Sequence, residues 1–273
     1  MEAVFRPKEG GAELKMDAKD WVPDLLDELR EQMGNLSAAL QLLTPAIREQ
    51  ENRKYDQYLA IATQSLYRML RLMRSADFAD QMERGEEPMF RPAPVDLGHL
   101  CDELSKEVES IYSQLGGTFH YEWEGKSPIL MADPHLLRRM LLLLLDSALR
   151  AAGPHGRAAL RLTYDGGRAT LTVWDSGLLE EQGEDPMARR TGDLGLGLKI
   201  AREIVRLHGG SLVVERRREP GGRVVVSLPV KPVKLGELHA PTMGYDPNGG
   251  FSPVLLELSD LLPLTFFLPQ NEE

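Results

Sequence analysis

The sequence predicts an α+β protein in which an N-terminal antiparallel helical hairpin forms a four-helix bundle in a dimer and precedes a two-layer α/β sandwich. Two observations predict this fold. Apolar residues follow heptad spacing in the first third of the chain, and the pattern then changes to helices that alternate with paired strands. The predicted parts are a flexible lead-in at 1–17, the hairpin at 18–84, a linker at 85–94, the sandwich at 95–232 and an acidic, apolar C-terminal tail at 233–273.

The hairpin is predicted from two apolar seams that repeat at intervals of three and four residues, the spacing of one helix face. The polar stretch REQENRK at 48–54 separates them. A hairpin alone leaves part of its apolar surface in water, so two copies are expected to form a four-helix bundle and a homodimer. The alternative is that this face packs on the rest of the same chain. The seam residues are Val22, Leu26, Leu29, Met33, Leu36, Leu40, Leu43 and Ile47, then Tyr55, Leu59, Ala62, Leu66, Met69, Met73 and Ala76.

The second half of the chain is predicted to mix helices and strands. Pro134 begins and Gly153 follows a largely apolar helix, which is the usual order of these two residues. Two β-hairpins are indicated, at 157–177 and at 211–230. One mixed sheet with helices on one face accommodates this order. The apolar stretch at 249–269 is expected to pack on the sandwich or on a partner.

Composition excludes several classes of protein. The chain has 273 residues and a net charge of −10, which argues against a nucleic acid partner because phosphate backbones require clustered Lys and Arg. The longest apolar run, MLLLLL at 140–145, is far shorter than the ~18 residues that span a bilayer. The single cysteine, Cys101, excludes an internal disulfide and suits a reducing compartment. We therefore expect a cytoplasmic protein without a membrane span.

A glycine-rich turn opens an apolar helix at 193–210, in the sequence DLGLGLKIAREIVRLHGG. Gly195 and Gly197 would expose backbone N–H groups at the helix start, beside Leu196 and Leu198. Aligned peptide dipoles make such a helix start favourable for phosphate. The turn therefore predicts a phosphate-binding site.

Four motifs, in order, resemble the cytoplasmic core of sensor histidine kinases. VDLGHLCDEL resembles the entry into the ATP-binding domain, and DPHLLRRMLLLLLDSALRAA resembles the helix that carries the asparagine box. VWDSG and GLGLKIAREIVRLHGGSL resemble the first and second glycine boxes. In that family a helical hairpin dimerises and carries the phosphoacceptor histidine. A sandwich of the histidine-kinase, gyrase and Hsp90 ATPase type binds ATP.

The resemblance implies ATP or ADP as a ligand and assigns roles to single residues. Asp175 would accept a hydrogen bond from the adenine amino group, and Gly177 would let the backbone turn close beneath the base. Arg150 has the basic position that contacts phosphate in the family. The implied nucleotide-binding residues are Ser147, Arg150, Asp175, Gly177, Gly195, Leu196, Gly197 and Leu198.

Two departures from the family's pattern affect the metal and the nucleotide. Leu143 and Ser147 stand where the asparagine box has its two asparagines, and the second asparagine normally holds Mg²⁺. A serine hydroxyl is a poorer Mg²⁺ ligand than an amide carbonyl, and the neighbouring Asp146 is rotated by about 100° along the helix. Leu179 replaces the second glycine of the first glycine box. We therefore expect Ser147 to be a weak Mg²⁺ ligand.

A further departure affects phosphotransfer. The segment DELREQMGNLSAALQLL at 27–43 resembles the acceptor-helix motif His-Glu/Asp-Leu-Arg-Asn-Pro-Leu, and Arg30 falls at the histidine. No histidine precedes His99. Phosphotransfer needs an imidazole nitrogen as nucleophile, and arginine, which stays protonated, cannot replace it. We therefore expect no autophosphorylation of the hairpin and assign no catalytic residue.

The sequence thus predicts a degenerate, dimeric, sensor-histidine-kinase-like protein of two-component signalling that acts through protein contacts. The implied partner is a response regulator or a true histidine kinase. The alternative is an active ATP-dependent kinase that phosphorylates a histidine or serine of a partner in trans. A third hypothesis makes the apolar tail the main interaction element.

Overall fold

The computed structural model describes residues 18–49, 52–85, 88–123, 125–177, 196–215, 221–230 and 251–268. Within these ranges the helices are α1 (Ala18–Arg48), α2 (Arg53–Glu83), α3 (Leu97–Gln114), α4 (Pro134–Ala152), α5 (Leu196–Leu207) and α6 (Pro253–Glu257), with a 3-10 helix at Leu264–Phe267. The strands are β1 (Ala93–Asp96), β2 (Thr118–Trp123), β3 (Ile129–Ala132), β4 (Arg157–Tyr164), β5 (Arg168–Asp175), β6 (Ser211–Glu215) and β7 (Arg223–Pro229). A helical hairpin thus precedes mixed helix and sheet, which confirms the predicted α+β class, and the four-helix bundle in a dimer stays a prediction.

Helices α1 and α2 form the hairpin. Leu26 and Met33 of α1 pack against Leu66 and Met73 of α2 in a small apolar core. Asn52 caps the start of α2, because its side chain accepts a hydrogen bond from the backbone N–H of Lys54 at 3.1 Å. The predicted seam positions therefore fall into two groups. Some face the other helix of the hairpin, and others face away from it.

The hairpin also carries an uncovered apolar surface. Its exposed side chains repeat at helical spacing, so that they form one stripe along each helix. A contiguous exposed apolar surface on a protein commonly marks a protein–protein contact. The stripe residues are Leu25, Leu29, Leu36 and Leu43 on α1 and Tyr58, Ile61, Met69 and Leu72 on α2.

A five-stranded mixed sheet forms one layer of the sandwich, in the order β2-β4-β5-β7-β6. Strand β2 pairs in parallel with β4, and the other neighbours are antiparallel. Leu160 of β4, Leu171 of β5 and Val226 of β7 are fully buried on the face that the helices cover. Asp165 closes the β4–β5 turn by accepting a hydrogen bond from the backbone N–H of Gly167 at 2.9 Å.

Helix α4 lies at the centre of the helical layer. Its residues from Leu137 to Leu149 are almost all buried, because the helix lies between the sheet and neighbouring helices. Asp133 caps its start, with Oδ1 accepting the backbone N–H groups of His135 and Leu136, both at 3.0 Å. Oδ2 of Asp133 accepts the backbone N–H of Arg91 at 2.9 Å, which ties the chain after the hairpin to this helix.

Strand β1 pairs antiparallel with β3 in a separate two-stranded sheet. It includes Ala93 and Pro94, which the sequence analysis assigned to the linker. Pro94 has no backbone donor, and a two-stranded sheet tolerates proline because both of its strands are edges. The strand exists through its pairing with β3, which no local sequence pattern reveals.

Residues 251–268 return to the body of the molecule and lie against both α2 and α4. Leu258 is fully buried and belongs, with Val254 and Leu262, to the core that α4 shares with the sheet. Phe251 packs instead on the small core of the hairpin. This part of the tail therefore connects the two cores and packs on the hairpin as well as on the sandwich.

Among the described residues, no helix combines the length and the apolar character needed to cross a membrane. The two longest, α1 and α2, have 31 residues each, but polar residues interrupt their apolar positions throughout.

Candidate nucleotide site

The first glycine box places Asp175 at the end of β5, with its side chain largely buried. Its Oδ1 accepts a hydrogen bond from the backbone N–H of Gly177 at 2.9 Å, which closes a tight turn directly after the strand. The backbone N–H of Asp175 donates to the carbonyl oxygen of Gly222 at 3.1 Å. Backbone contacts thus fix both the strand end and its carboxylate.

Close backbone approach explains the glycines around Asp175. A Cβ on Gly177 would lie 2.2 Å from the carbonyl oxygen of Ala151 at the end of α4. A Cβ on Gly222 would lie 2.7 Å from Oδ2 of Asp175, and Gly221 has a φ of +110° that favours glycine. Gly177 was predicted from the sequence, whereas Gly221 and Gly222 were not. The Pro-Gly-Gly sequence before β7 is the signal that could have found them.

Helix α4 places Ser147 inside the sandwich, where the residue is only 2% exposed. Mg²⁺ requires near-octahedral oxygen ligands and usually keeps several waters. The hydroxyl of Ser147 supplies one enclosed oxygen. Within the described ranges, no group of three or more His, Cys, Asp and Glu side chains is arranged to hold a metal ion.

The neighbouring Asp146 is fully buried and directed towards the hairpin. Its Oδ2 accepts a hydrogen bond from Arg71 of α2 at 2.8 Å, and both of its oxygens accept from Nε of Arg150, at 3.0 and 2.9 Å. This carboxylate therefore binds two arginines. Its ion pair with Arg71 was not predicted from the sequence, although a lone carboxylate within the apolar run LLLLLDSAL signals a buried charge that needs a partner.

Arg150, the implied phosphate contact, belongs to the same network. Its Nε is bound to Asp146, and its NH2 lies 3.7 Å from Oδ2 of Asp260 in the C-terminal segment. The side chain is 19% exposed. The structure thus places Arg150, which lies on the same helix as Ser147, beside Asp260 of the tail.

The second glycine box leads into α5, which begins at Leu196. Gly197 and Leu198 are buried in the first turn of this helix, and Leu196 is partly exposed. Gly195 and Leu179 lie outside the described residues. Helix α5 packs against α4, so the helix after the glycine turn and the helix of Ser147 are neighbours.

Arg30, for which the sequence predicts the phosphoacceptor position, lies on α1 with its side chain 49% exposed. It forms an ion pair with Asp27 one turn earlier and lies 3.3 Å from Oδ2 of Asp77 on α2. Neither helix of the hairpin contains a histidine. The side chain at this position is therefore a cation that forms ion pairs with carboxylates of both hairpin helices.

The histidines of the described residues lie elsewhere in the fold. His99, His120 and His155 are exposed, and His239 lies outside the described residues. His208, at the end of α5, is buried and has two defined hydrogen bonds. Its Nδ1 donates to the carbonyl oxygen of Ile204 at 2.7 Å, and its Nε2 accepts the backbone N–H of Asp133 at 3.0 Å. The neutral imidazole thus satisfies both partners.

Burial lowers the pKa of His208 below its ordinary value. The native state therefore binds a proton less readily than the unfolded chain. The stability that the neutral imidazole contributes is present above the ordinary histidine pKa of about 6.5 and is lost as the pH falls through the folded-state pKa. We expect His208→Gln to reduce the loss of stability between neutral and mildly acidic pH, because glutamine can form both hydrogen bonds without titrating.

The measurement is urea unfolding of the parent and the variant over that pH range. His120→Gln is the matched control, since His120 is exposed, and it should keep the pH dependence of the parent. An unchanged pH dependence in His208→Gln would contradict the assignment.

Residues 132–232 match a family described as histidine kinase-, DNA gyrase B- and HSP90-like ATPase. This part of the chain is therefore similar to the ATPase domain of that family. The match contains Ser147, Asp175 and both glycine boxes, and the resemblance inferred from the sequence motifs is confirmed.

The named relatives are sensor kinases. The adaptive-response sensory kinase SasA of Prochlorococcus marinus (strain MIT 9303) is 26% identical over 168 residues, which cover 57% of this chain and 45% of that protein. The signal transduction histidine-protein kinase/phosphatase MprB of Mycobacterium ulcerans (strain Agy99) is 26% identical over 248 residues, which cover 85% of this chain and 47% of that protein. The chain thus spans about half the length of the curated relatives it matches.

A solved structure supports the fold across the hairpin and the sandwich. Full-length ShkA in complex with AMPPNP is similar with a TM-score of 0.57 at 21% sequence identity, covering 76% of this chain and 47% of that one. At this identity the likeness concerns the fold alone.

Proposed function

We propose that this chain is a degenerate, dimeric, sensor-histidine-kinase-like signalling protein that acts through protein contacts and does not phosphorylate its own hairpin. The observation that carries the proposal is Arg30 at the acceptor position. Its guanidinium pairs with Asp27 and Asp77, and neither hairpin helix offers an imidazole. The architecture of a sensor kinase remains, whereas the nucleophile of its reaction is absent from the hairpin.

The nucleotide of this proposal is ATP or ADP, held at Asp175 and at the start of α5. Asp175 is fixed at its strand end by Gly177 and Gly222, and the related ShkA was solved with AMPPNP. In this proposal a metal ion contributes little to nucleotide binding, because Ser147 is enclosed and Asp146 is bound to two arginines. Binding of ADP should therefore change little when EDTA replaces Mg²⁺.

The proposed oligomer is a homodimer formed through the apolar stripes of α1 and α2. Leu36, which is 43% exposed, lies within the stripe on α1. Leu36→Glu would place a carboxylate in each half of the buried contact and remove apolar burial of roughly 1.5–3 kcal/mol per leucine. We expect the dimer dissociation constant to rise about a hundredfold or more, since two copies are affected.

Light scattering with size-exclusion chromatography measures this change. The matched control is Gln41→Glu, which adds the same charge at an exposed position of α1 away from the stripe and should leave the dimer intact. A Leu36→Glu chain that dimerises like the control would contradict the proposed interface.

The proposed partner is a response regulator or a true histidine kinase, which the hairpin surface would bind without receiving phosphate from this chain. The relatives are named as sensory and histidine-protein kinases, and these names support a partner from the same kind of signalling.

The test of the function is incubation of the full chain with labelled ATP and Mg²⁺, beside the variant Arg30→His. Because Arg30 is half-exposed, the variant should fold like the parent. We expect no label on the parent hairpin, and label there would contradict the proposal. Label on Arg30→His alone would favour the alternative, an active kinase that phosphorylates a partner's histidine or serine in trans.

A further inference from the structure

A groove between α2 and α4 is lined by four arginines, which we call the arginine groove. Arg71 is 1% exposed and Arg139 is 7% exposed, whereas Arg68 and Arg150 lie nearer the surface. Guanidinium groups stay protonated, and a buried charge is expensive unless it is paired. The groove therefore requires anionic partners.

Asp260 of the C-terminal segment supplies one such partner. Its carboxylate lies 3.0 Å from Nε of Arg68, 3.1 Å from NH1 of Arg71 and 3.7 Å from NH2 of Arg150. A single carboxylate thus contacts arginines of both α2 and α4. We call residues 251–268, which carry it, the latch.

Glu257 of the latch is the second partner and is 1% exposed. One of its oxygens lies 3.4 Å from Nε of Arg139 on α4, and the other lies 3.8 Å from Nε of Arg71 on α2. The third carboxylate of the network is Asp146, which belongs to α4 itself. Two of the three carboxylates therefore come from the latch.

Backbone contacts make the fit of the latch specific. Gln64 of α2 is 7% exposed, and its Nε2 donates to the carbonyl oxygens of Leu262 at 2.6 Å and Ser259 at 3.4 Å. The carbonyl of Ser259 also accepts from Nε of Arg68 at 3.4 Å. Helix α2 thus recognises carbonyl groups that follow α6 and lack partners within that helix.

Aromatic and aliphatic side chains also hold the latch in place. Tyr67 of α2 contacts Phe251 in an edge-to-face arrangement at 5.2 Å between ring centroids and Phe267 at 5.4 Å. Leu258 and Leu262 of the latch enter the core of the sandwich. The latch therefore has acidic, backbone and apolar contacts with the same surface.

We propose that the arginine groove is a recognition site for a short acidic and apolar segment, and that the latch fills it in cis to hold the hairpin against the sandwich. With the latch seated, four arginines face three carboxylates. Removal of the latch takes away two of these three carboxylates, and the repulsion between the arginines then favours separation of α2 from α4. The relative orientation of the hairpin and the ATPase-family domain is thus set by occupancy of the groove, independently of whether nucleotide binds.

Pulsed dipolar spectroscopy on the full chain tests this proposal with two spin labels, at Gln41→Cys on α1 and Thr163→Cys on the outer face of the sheet. Both positions are exposed. The natural Cys101 stays unlabelled, because it is fully buried and burial raises the pKa of its thiol to about 12. Dilution with unlabelled chain leaves one labelled protomer per dimer, so the distance joins hairpin and sandwich of one chain.

The latch variant is Glu257→Gln with Asp260→Asn, and the matched control is Glu122→Gln with Glu215→Gln. The control removes the same charge from two exposed ion pairs on the sheet, with Arg161 and Arg223. We expect a narrow distance distribution in the parent and control, and at least a twofold broader one in the latch variant. A parent as broad as the latch variant, or a latch variant as narrow as the parent, overturns the proposal.

A second measurement applies if circular dichroism shows that the latch variant does not fold. A protease site inserted after residue 243 of the labelled chain is cut once the protein has folded. Release of the severed latch is expected to broaden the distribution, and an added synthetic peptide of residues 249–269 is expected to narrow it again. An unchanged distribution after release, or a peptide without effect, overturns the proposal.

Discussion

Asp146→Asn is expected to lower the free energy of unfolding by about 3–5 kcal/mol, the usual cost of removing one member of a buried ion pair. The carboxylate is fully buried and accepts hydrogen bonds from Arg71 at 2.8 Å and from Arg150 at 2.9 Å. Its loss leaves two guanidinium groups with one carboxylate fewer in an environment where water cannot replace it. Urea unfolding of the full chain measures the change.

Asp102→Asn is the matched control. Asp102 accepts a hydrogen bond from Nζ of Lys106 at 2.6 Å in an exposed pair four residues apart on α3. Pairs of this kind contribute about 0.3–0.5 kcal/mol, so the control should stay close to the parent. Equal effects of the two substitutions would contradict the assignment of Asp146 as the central anion of the interface.

Gly177→Ala is expected to lower the free energy of unfolding by about 1–3 kcal/mol, as overpacking of a tight contact does. The new Cβ would lie 2.2 Å from the backbone carbonyl oxygen of Ala151. Backbone on both sides must then shift, and Asp175, whose Oδ1 accepts the N–H of Gly177, shifts with it. Calorimetry with ADP should therefore detect weaker nucleotide binding in the same variant.

Gly34→Ala is the control for this substitution. Gly34 lies on the exposed side of α1, and a Cβ there would meet nothing within 4 Å. Alanine inside a helix is favoured over glycine, so the control should be more stable than the parent by about 0.5–1 kcal/mol. A Gly177→Ala chain as stable as the parent would show that the turn after β5 does not need glycine.

Asp146→Asn and Gly177→Ala affect two different contacts of α4. This helix contributes Ser147 to the candidate nucleotide site and Asp146 to the contact with the hairpin, and the two residues are adjacent. Because successive helix positions differ by about 100°, one helix can serve both surfaces.

Local patterns predicted most of the elements. Helix α4 spans the predicted residues 134–152, because its apolar run, Pro134 and Gly153 signal a buried helix and both of its ends. The hairpin of β4 and β5 follows from Asp165-Gly166-Gly167 between alternating residues. The motifs of the ATPase family were also visible, since they depend on glycines and carboxylates at fixed short spacings.

Other features carried no local signal. Strand β1 contains Pro94 and is a strand only because β3 lies beside it. The glycines at 221 and 222 appear as an ordinary turn until Asp175 is placed next to them. In these cases the strand or residue that makes the contact is distant in sequence. Secondary-structure propensity reflects only neighbours along the chain, so it does not reveal such a contact.

The sequence by itself determined most of the helices and strands, the ATPase-family motifs and the absence of any histidine before His99, because each depends on residue identity and short-range spacing. Only the tertiary structure decided what Asp146 and the tail do. Arg71 meets Asp146 across 75 positions and Asp260 across 189, and a charge can select such a partner only when burial removes water from both.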